Sequence, residues 1–173
     1  TGGGAVYHDY GGEITYSVIA PEVLFPKGIR ESYGVICAWI VNGLKNVGID
    51  SEFKPINDII TSGKKISGNA QTRRNGVLLQ HGTILYDVDV RKMFSVLKVG
   101  QEKISDKMIQ AVEERVTSVS REKDIGIHDL HEALVKGFTE GKDCVLDSLS
   151  SDEENRAEEL AEHYASEEWN YMR

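Results

Sequence analysis

Asn75-Gly76 constrains this chain more than any other pair of residues. Both residues tolerate the positive φ angles of a type I′ turn, so the stretches on either side can pair as an antiparallel hairpin. Ser62-Gly63 is a second turn signal, and Ile59-Ile60-Thr61 before it has strand composition. Together these predict a three-strand meander carrying Lys65, Gly68 and His81. Within it, Ser67, Gly68 and Ala70 are small where bulkier side chains would fill the space above a sheet, which predicts that a ligand or another backbone comes close.

A length of 173 residues suits one domain, 1–173, and 40% hydrophobic residues supply a core. A formal net charge of −8 argues against a broad basic surface for nucleic acid. The two cysteines, Cys37 and Cys144, show no zinc-ligand spacing, and Cys37 falls in an apolar helical pattern that makes it a core residue. No apolar run approaches the roughly 20 residues of a membrane span. A soluble, cytoplasmic protein is the expectation.

The other elements follow from periodicity. Ile14–Ala20 has strand composition, and Ala5-Val6-Tyr7-His8 is a short strand-like run. Ile29, Tyr33, Ile36, Cys37, Ile40, Leu44 and Val47 define a helical face, with Gly48 as its stop. Asp89 can cap a helix running to about Lys98, with Val90, Met93, Phe94 and Leu97 on one face. Further helices are predicted within 104–116 and over 127–140, with a last strand at 143–147. Ser151 and Glu154 match a capping box for a charged helix, and Trp169 is expected to dock the tail. His128 and His131, three apart, are an ordinary helix surface with no third ligand nearby.

Four pieces carry candidate chemistry. Thr1-Gly2-Gly3-Gly4 opens the chain beside His8 and Asp9; three glycines can turn amides toward an anion, or can simply be a flexible loop. Asn57-Asp58, Lys65 and His81-Gly82-Thr83 lie on or beside the meander. A lysine next to a glycine-rich segment can hold a phosphate or carboxylate, and an aspartate can hold Mg²⁺ against phosphate oxygens. No Walker motif and no GxGxxG before a helix is present.

Thr1-Gly2-Gly3-Gly4-Ala5-Val6-Tyr7-His8-Asp9, Asn57-Asp58, Lys65-Ile66-Ser67-Gly68-Asn69-Ala70-Gln71, His81-Gly82-Thr83-Ile84-Leu85 and the Glu168-Trp169-Asn170 ending resemble, in order and spacing, the lipoate–protein ligase A family. The resemblance implies an α+β fold, a mixed-sheet α/β sandwich shared with biotin–protein ligases. It implies ATP-dependent activation of lipoate to lipoyl-AMP, then transfer of the lipoyl group to a lysine of an acceptor domain in a 2-oxoacid dehydrogenase or a glycine-cleavage H protein. Lys65 would be catalytic, an electrostatic stabiliser of charge at the acyl carbon. Gly2, Gly3, Gly4, Ala5, Val6, Tyr7 and His8 would line the adenylate, and Asn57 would face the adenine. Ser67, Gly68 and Ala70 would be cofactor-binding, His81, Gly82 and Thr83 would complete the wall around the acyl group, and Asp58 would sit at Mg²⁺.

Two departures accompany the resemblance. The arginine pair that precedes the family's glycine motif is absent, so material N-terminal to Thr1 is expected. The chain also stops where many members continue into an accessory domain, which resembles archaeal members that carry that part as a separate subunit. The rival within the superfamily is an ATP-independent octanoyl- or lipoyl-transferase with a cysteine nucleophile, yet Phe53–Thr61 contains no cysteine. A non-catalytic lipoyl-binding module is the third reading.

Overall fold

The computed structural model describes residues 1, 5–97 and 106–171. The chain divides into two compact units, Thr1–Glu140 and Gly141–Arg173.

The first unit is built on a five-stranded sheet of β1 (Glu13–Pro21), β2 (Glu52–Lys54), β3 (Asp58–Thr61), β4 (Lys64–Arg74) and β5 (Val77–Leu85), in the order β1-β5-β4-β3-β2. All paired strands are antiparallel. The predicted meander forms at both predicted turns: Ser62 and Gly63 have φ of 51° and 75°, and Asn75 and Gly76 have 53° and 76°. An isolated parallel bridge joins Lys65 to Val116.

Strand alternation gives this sheet two different faces. One carries Ile59, Ile66 and Ile84 into the main core, which is closed by α1 (Ile29–Asn46) and α5 (Ile127–Thr139) through Cys37, Ile40, Leu44, Leu130 and Leu134. The two helices cross on glycine. A Cβ on Gly137 would lie 2.4 Å from the Trp39 carbonyl oxygen and 2.5 Å from the Gly43 nitrogen. Phe138 packs beside that crossing, 5.8 Å from the Trp39 ring and 5.3 Å from Tyr16. The α1 helix ends as its sequence predicts, at Gly48 with φ of 79°.

The other face is open to the segment 5–12 and to α2 (Val90–Val96), which packs on α3 (Asp106–Glu113) through Val90, Phe94 and Ile109. Asp89 caps α2 by accepting from the Lys92 amide at 2.9 Å. A short α4 (Val119–Glu122) follows.

Three sequence expectations are corrected. Residues 5–8 form no strand, because their chain is tied to a turn at Gly12 and pairs with no neighbour. The α2 helix ends at Val96, short of Lys98, which lies outside the described residues. Residues 143–147 form no strand: no partner strand is present in the second unit, and Val145 and Leu146 are exposed.

The second unit is α6 (Ser151–Ala165) followed by α7 (Glu167–Asn170). Its capping box starts one residue earlier than predicted, with Ser150 as cap and Glu153 as its reciprocal partner. Trp169 docks on this unit, with ring centroids 4.9 Å from Tyr164 and 5.1 Å from His163.

Candidate functional site

The sheet face away from α1 floors a cavity of about 720 Å³. Alternation selects its floor: Gly68 and Ala70 from β4 and His81, Thr83 and Leu85 from β5 all face it. The small side chains at 68 and 70 leave the depth, as the sequence predicts. Ala5, Val6, Tyr7 and His8 form one wall, and Gly82 and Asn57 also reach the lining. Gly2, Gly3 and Gly4 lie outside the described residues.

Lys65 supplies the cavity's lysine ammonium. Its backbone is fixed on both sides by the neighbouring segment, with Lys65 N donating to Arg115 O at 2.8 Å and Thr117 N donating to Lys65 O at 2.9 Å. Its side chain folds over Gly68, where a Cβ would come 2.9 Å from both Cε and Nζ. The Lys-x-x-Gly spacing thus has a steric reason: the fourth residue must have no side chain for the lysine to lie flat. Nζ is 2.6 Å from Asp58 Oδ1, and both side chains keep over a third of their surface in solvent.

Two sequence-predicted residues sit elsewhere. Ser67 alternates to the opposite face and is fully buried, so it does not line the cavity. Asp58 does not line it either; its carboxylate holds Lys65. Among the described residues no group of three or more His, Cys, Asp or Glu side chains could hold a metal ion. A Mg²⁺ ion at Asp58 would take phosphate oxygens and water as its further ligands.

The wall 5–12 is latched in place. Tyr7 Oη donates to Asp9 Oδ1 at 3.0 Å, and Lys92 Nζ donates to the same oxygen at 2.6 Å. The Lys92 ammonium, together with the Tyr7 hydroxyl, holds the Asp9 carboxyl below its ordinary range, and Asp9 in turn raises Lys92. Gly12 O accepts from the amides of Tyr86 and Asp87 at 2.9 Å. His8 pairs with Glu13, and His81 Nε2 lies 2.6 Å from Thr1 Oγ1. Burial is the main cause that lowers the His81 pKa.

Sequence reasoning did not locate the apolar lining. Val88, Met93, Leu97 and Val116 supply it with Leu85. The signal was present in the stripe of α2: Val90 and Phe94 face α3, and Met93 on the helix and Leu97 just past its end line the cavity.

The cavity thus combines a backbone-fixed lysine, small floor residues and apolar side chains. The chain belongs to the lipoyl protein ligase A/B catalytic domain family, whose model matches residues 1–139. It is similar to the octanoyltransferase LipM of Kyrpidia tusciae, at 34% identity over 201 residues, covering 100% of this chain and 73% of that protein. Its fold matches the bi-partite lipoate protein ligase of the Thermoplasma acidophilum lipoylation system with a TM-score of 0.87 at 35% identity, covering 98% of this chain and 67% of that one. It matches a lipoate-protein ligase A bound with ATP with a TM-score of 0.78 at 31% identity, over 98% and 68%. The α/β sandwich with its antiparallel sheet is therefore the biotin/lipoate ligase catalytic fold, and the chain is an enzyme of that superfamily. No helix among the described residues is long and apolar enough to cross a membrane.

Proposed function

We propose that this enzyme transfers a lipoyl or octanoyl group to the ε-amine of a lysine on an acceptor domain. The observation that carries this reading is Lys65, fixed by its backbone and by Asp58 in a cavity that also presents the apolar side chains of Leu85, Val88, Met93, Leu97 and Val116. The acyl carbon sits beside the ammonium and the hydrocarbon tail lies along Val88, Met93 and Leu97. The acceptor nitrogen forms a bond to the acyl carbon, the bond to the leaving group breaks, and the nitrogen loses a proton. Lys65 opposes the negative charge that builds on the acyl oxygen between those events.

The sequence relatives named octanoyltransferase favour a donor that arrives already activated, without ATP. One feature of this chain favours the ATP-dependent ligase instead. Cys37 is fully buried under the sheet, burial pushes its thiol up to about 12, and it does not line the cavity. A thioester route needs a thiolate at the acyl carbon. The expected acceptors are the lipoyl domains of 2-oxoacid dehydrogenases or a glycine-cleavage H protein, and a separate accessory subunit is an expected partner. A cytoplasmic location accords with such acceptors.

Intact mass spectrometry of an acceptor domain tests all of this. With lipoate, ATP and Mg²⁺ the ligase reading expects the lipoyl mass increment; with an octanoylated carrier protein and no ATP the transferase reading expects the octanoyl one. Persistence of either reaction at the wild-type rate in Lys65→Ala would remove the role given to Lys65. Loss of ATP-independent transfer in Cys37→Ser would select the transferase.

A further inference from the structure

Six polar residues form an unbroken hydrogen-bonded line that starts beneath the sheet and ends at Asn69 and Asn57, which reach the cavity lining. Ser32 Oγ donates to Gln71 Oε1 at 2.9 Å, Gln71 Nε2 to Gln80 Oε1 at 2.8 Å, and Gln80 Nε2 to Tyr16 Oη at 2.8 Å. Tyr16 Oη donates to Asn69 Oδ1 at 2.6 Å. Asn69 Nδ2 then donates to Asn57 O at 2.8 Å, and Asn57 Nδ2 returns to Asn69 O at 2.7 Å. Ser32, Asn69 and Gln80 are buried.

Apolar side chains of the same size would fill this space without the cost of burying amides. What the amides add is direction. Each donor is fixed by the acceptor before it, so the line runs one way, from α1 to the cavity wall. Burial pushes the Tyr16 hydroxyl far above its ordinary pKa, which keeps it a donor. The packing admits no slack at its end: a Cβ on Gly82 would come 2.4 Å from Asn69 Oδ1 and 2.9 Å from Tyr16 Cε1.

The line ends on the two residues that flank the supports of Lys65. Asn57 precedes Asp58, whose carboxylate holds the ammonium, and Asn69 follows Gly68, on which the lysine lies. Asp58 and Gly68 are themselves register partners across β3 and β4.

We propose that Tyr16, Gln71 and Gln80 are positioning residues for Lys65: they hold the Asn57–Asn69 clamp that sets Asp58 and Gly68 around its side chain. The proposal rests on reading the cavity as an acyl-transfer site, and it explains Gln71 and Gln80, which touch no part of the cavity.

Tyr16→Phe removes one hydroxyl and no volume. The expected result is a fall of about tenfold in kcat for acceptor modification with KM for the acyl donor held within about twofold. The Lys65 amine should also react faster with an amine-directed label, read by site-resolved peptide mass spectrometry on the folded protein. Gln80→Leu should act in the same direction, and the double variant should be no worse than Gln80→Leu alone, because both break one line. Wild-type kcat together with a wild-type Lys65 labelling rate in Tyr16→Phe would overturn the proposal, even if the variant melts earlier. If the wild type modifies no acceptor with any donor, the acyl-transfer reading fails; the labelling comparison still decides whether the line sets Lys65.

Discussion

Lys65 rests on Gly68 as on a floor: any Cβ at position 68 would stand 2.9 Å from the lysine's Cε and Nζ. The clash falls on the mobile end of a side chain, not on backbone, so the fold can absorb it by moving the lysine. Gly68→Ala is therefore expected to fold with less than about 1 kcal/mol of lost stability, yet to lose about ten- to a hundredfold in acyl transfer, because displacing a positioned group by about 1 Å costs on that scale. Denaturant melts beside acceptor-modification kinetics check both halves.

Asp58 holds the Lys65 ammonium at 2.6 Å in a partly solvated pair. Such a pair contributes about 0–1 kcal/mol, so Asp58→Asn should barely change the melting point. Transfer should nevertheless fall, since the ammonium loses its anchor. A titration with Mg²⁺ separates this from a metal-ligand role: added ion should leave the Asp58→Asn rate where it is, whereas loss of a cation ligand would be offset in part by excess ion.

The latch of Lys92 on Asp9 makes a prediction with a definite sign. Asp9 is depressed below its unfolded value of 3.8, so its contribution is present above that pH and lost as pH falls through the lower folded value. Lys92 is raised above 10.5, so its contribution is present below that pH and lost as pH rises through the folded value. Between those limits the latch is constant. Lys92→Met is expected to raise KM for the acyl donor more than it lowers kcat, by a factor that stays flat from pH 6 to 9 and shrinks with added salt. Steady-state kinetics over a grid of pH and ionic strength measure it; a larger fall in kcat than rise in KM would refute a role confined to holding the wall.

The crossing of α1 and α5 tests the fold apart from the site. Alanine at Gly137 gains about 1 kcal/mol in helix propensity. It also drives a Cβ to 2.4 Å from the Trp39 carbonyl oxygen, which is backbone and cannot step aside. Overpacking of this kind costs about 3 kcal/mol, so the clash wins and Gly137→Ala should be less stable by about 2 kcal/mol. Thermal or urea unfolding reads this directly.

Much of the sheet was legible because its signals are local. Asn75-Gly76 and Ser62-Gly63 each demand positive φ at two successive positions, and few other conformations accommodate them. The α1 stripe and its Gly48 stop were equally local. Residues 5–8 were misread because alternation looks the same in a strand and in an extended wall; only the distant amides of Tyr86 and Asp87, which fasten Gly12, distinguish them. The strand expected at 143–147 failed because strand composition does not supply a partner. At the site, Lys65, Gly68, Ala70 and His81 could be grouped once the meander was drawn. Asp58 as the partner of Lys65, and Ser67 on the wrong face, depend on the register shift between Ile59 and Ile60, which no residue type in that stretch announces.

His81 gives the pH test of the cavity floor. Burial is the largest cause of its lowered pKa, so the folded protein resists a proton that the unfolded chain accepts near 6.5. Above that pH the residue contributes no pH dependence. As pH falls below 6.5 the unfolded state binds more protons than the native one, and stability declines until the folded pKa is passed. His81→Gln keeps a hydrogen-bonding group beside Thr1 and removes the titration. The variant is therefore expected to gain on the wild type as pH drops from 7.5 to 5, with the gap small because the ring is partly solvated. Urea melts of both proteins at the two pH values measure the gap. If it closes or reverses at the lower pH, the imidazole is not held neutral by its surroundings.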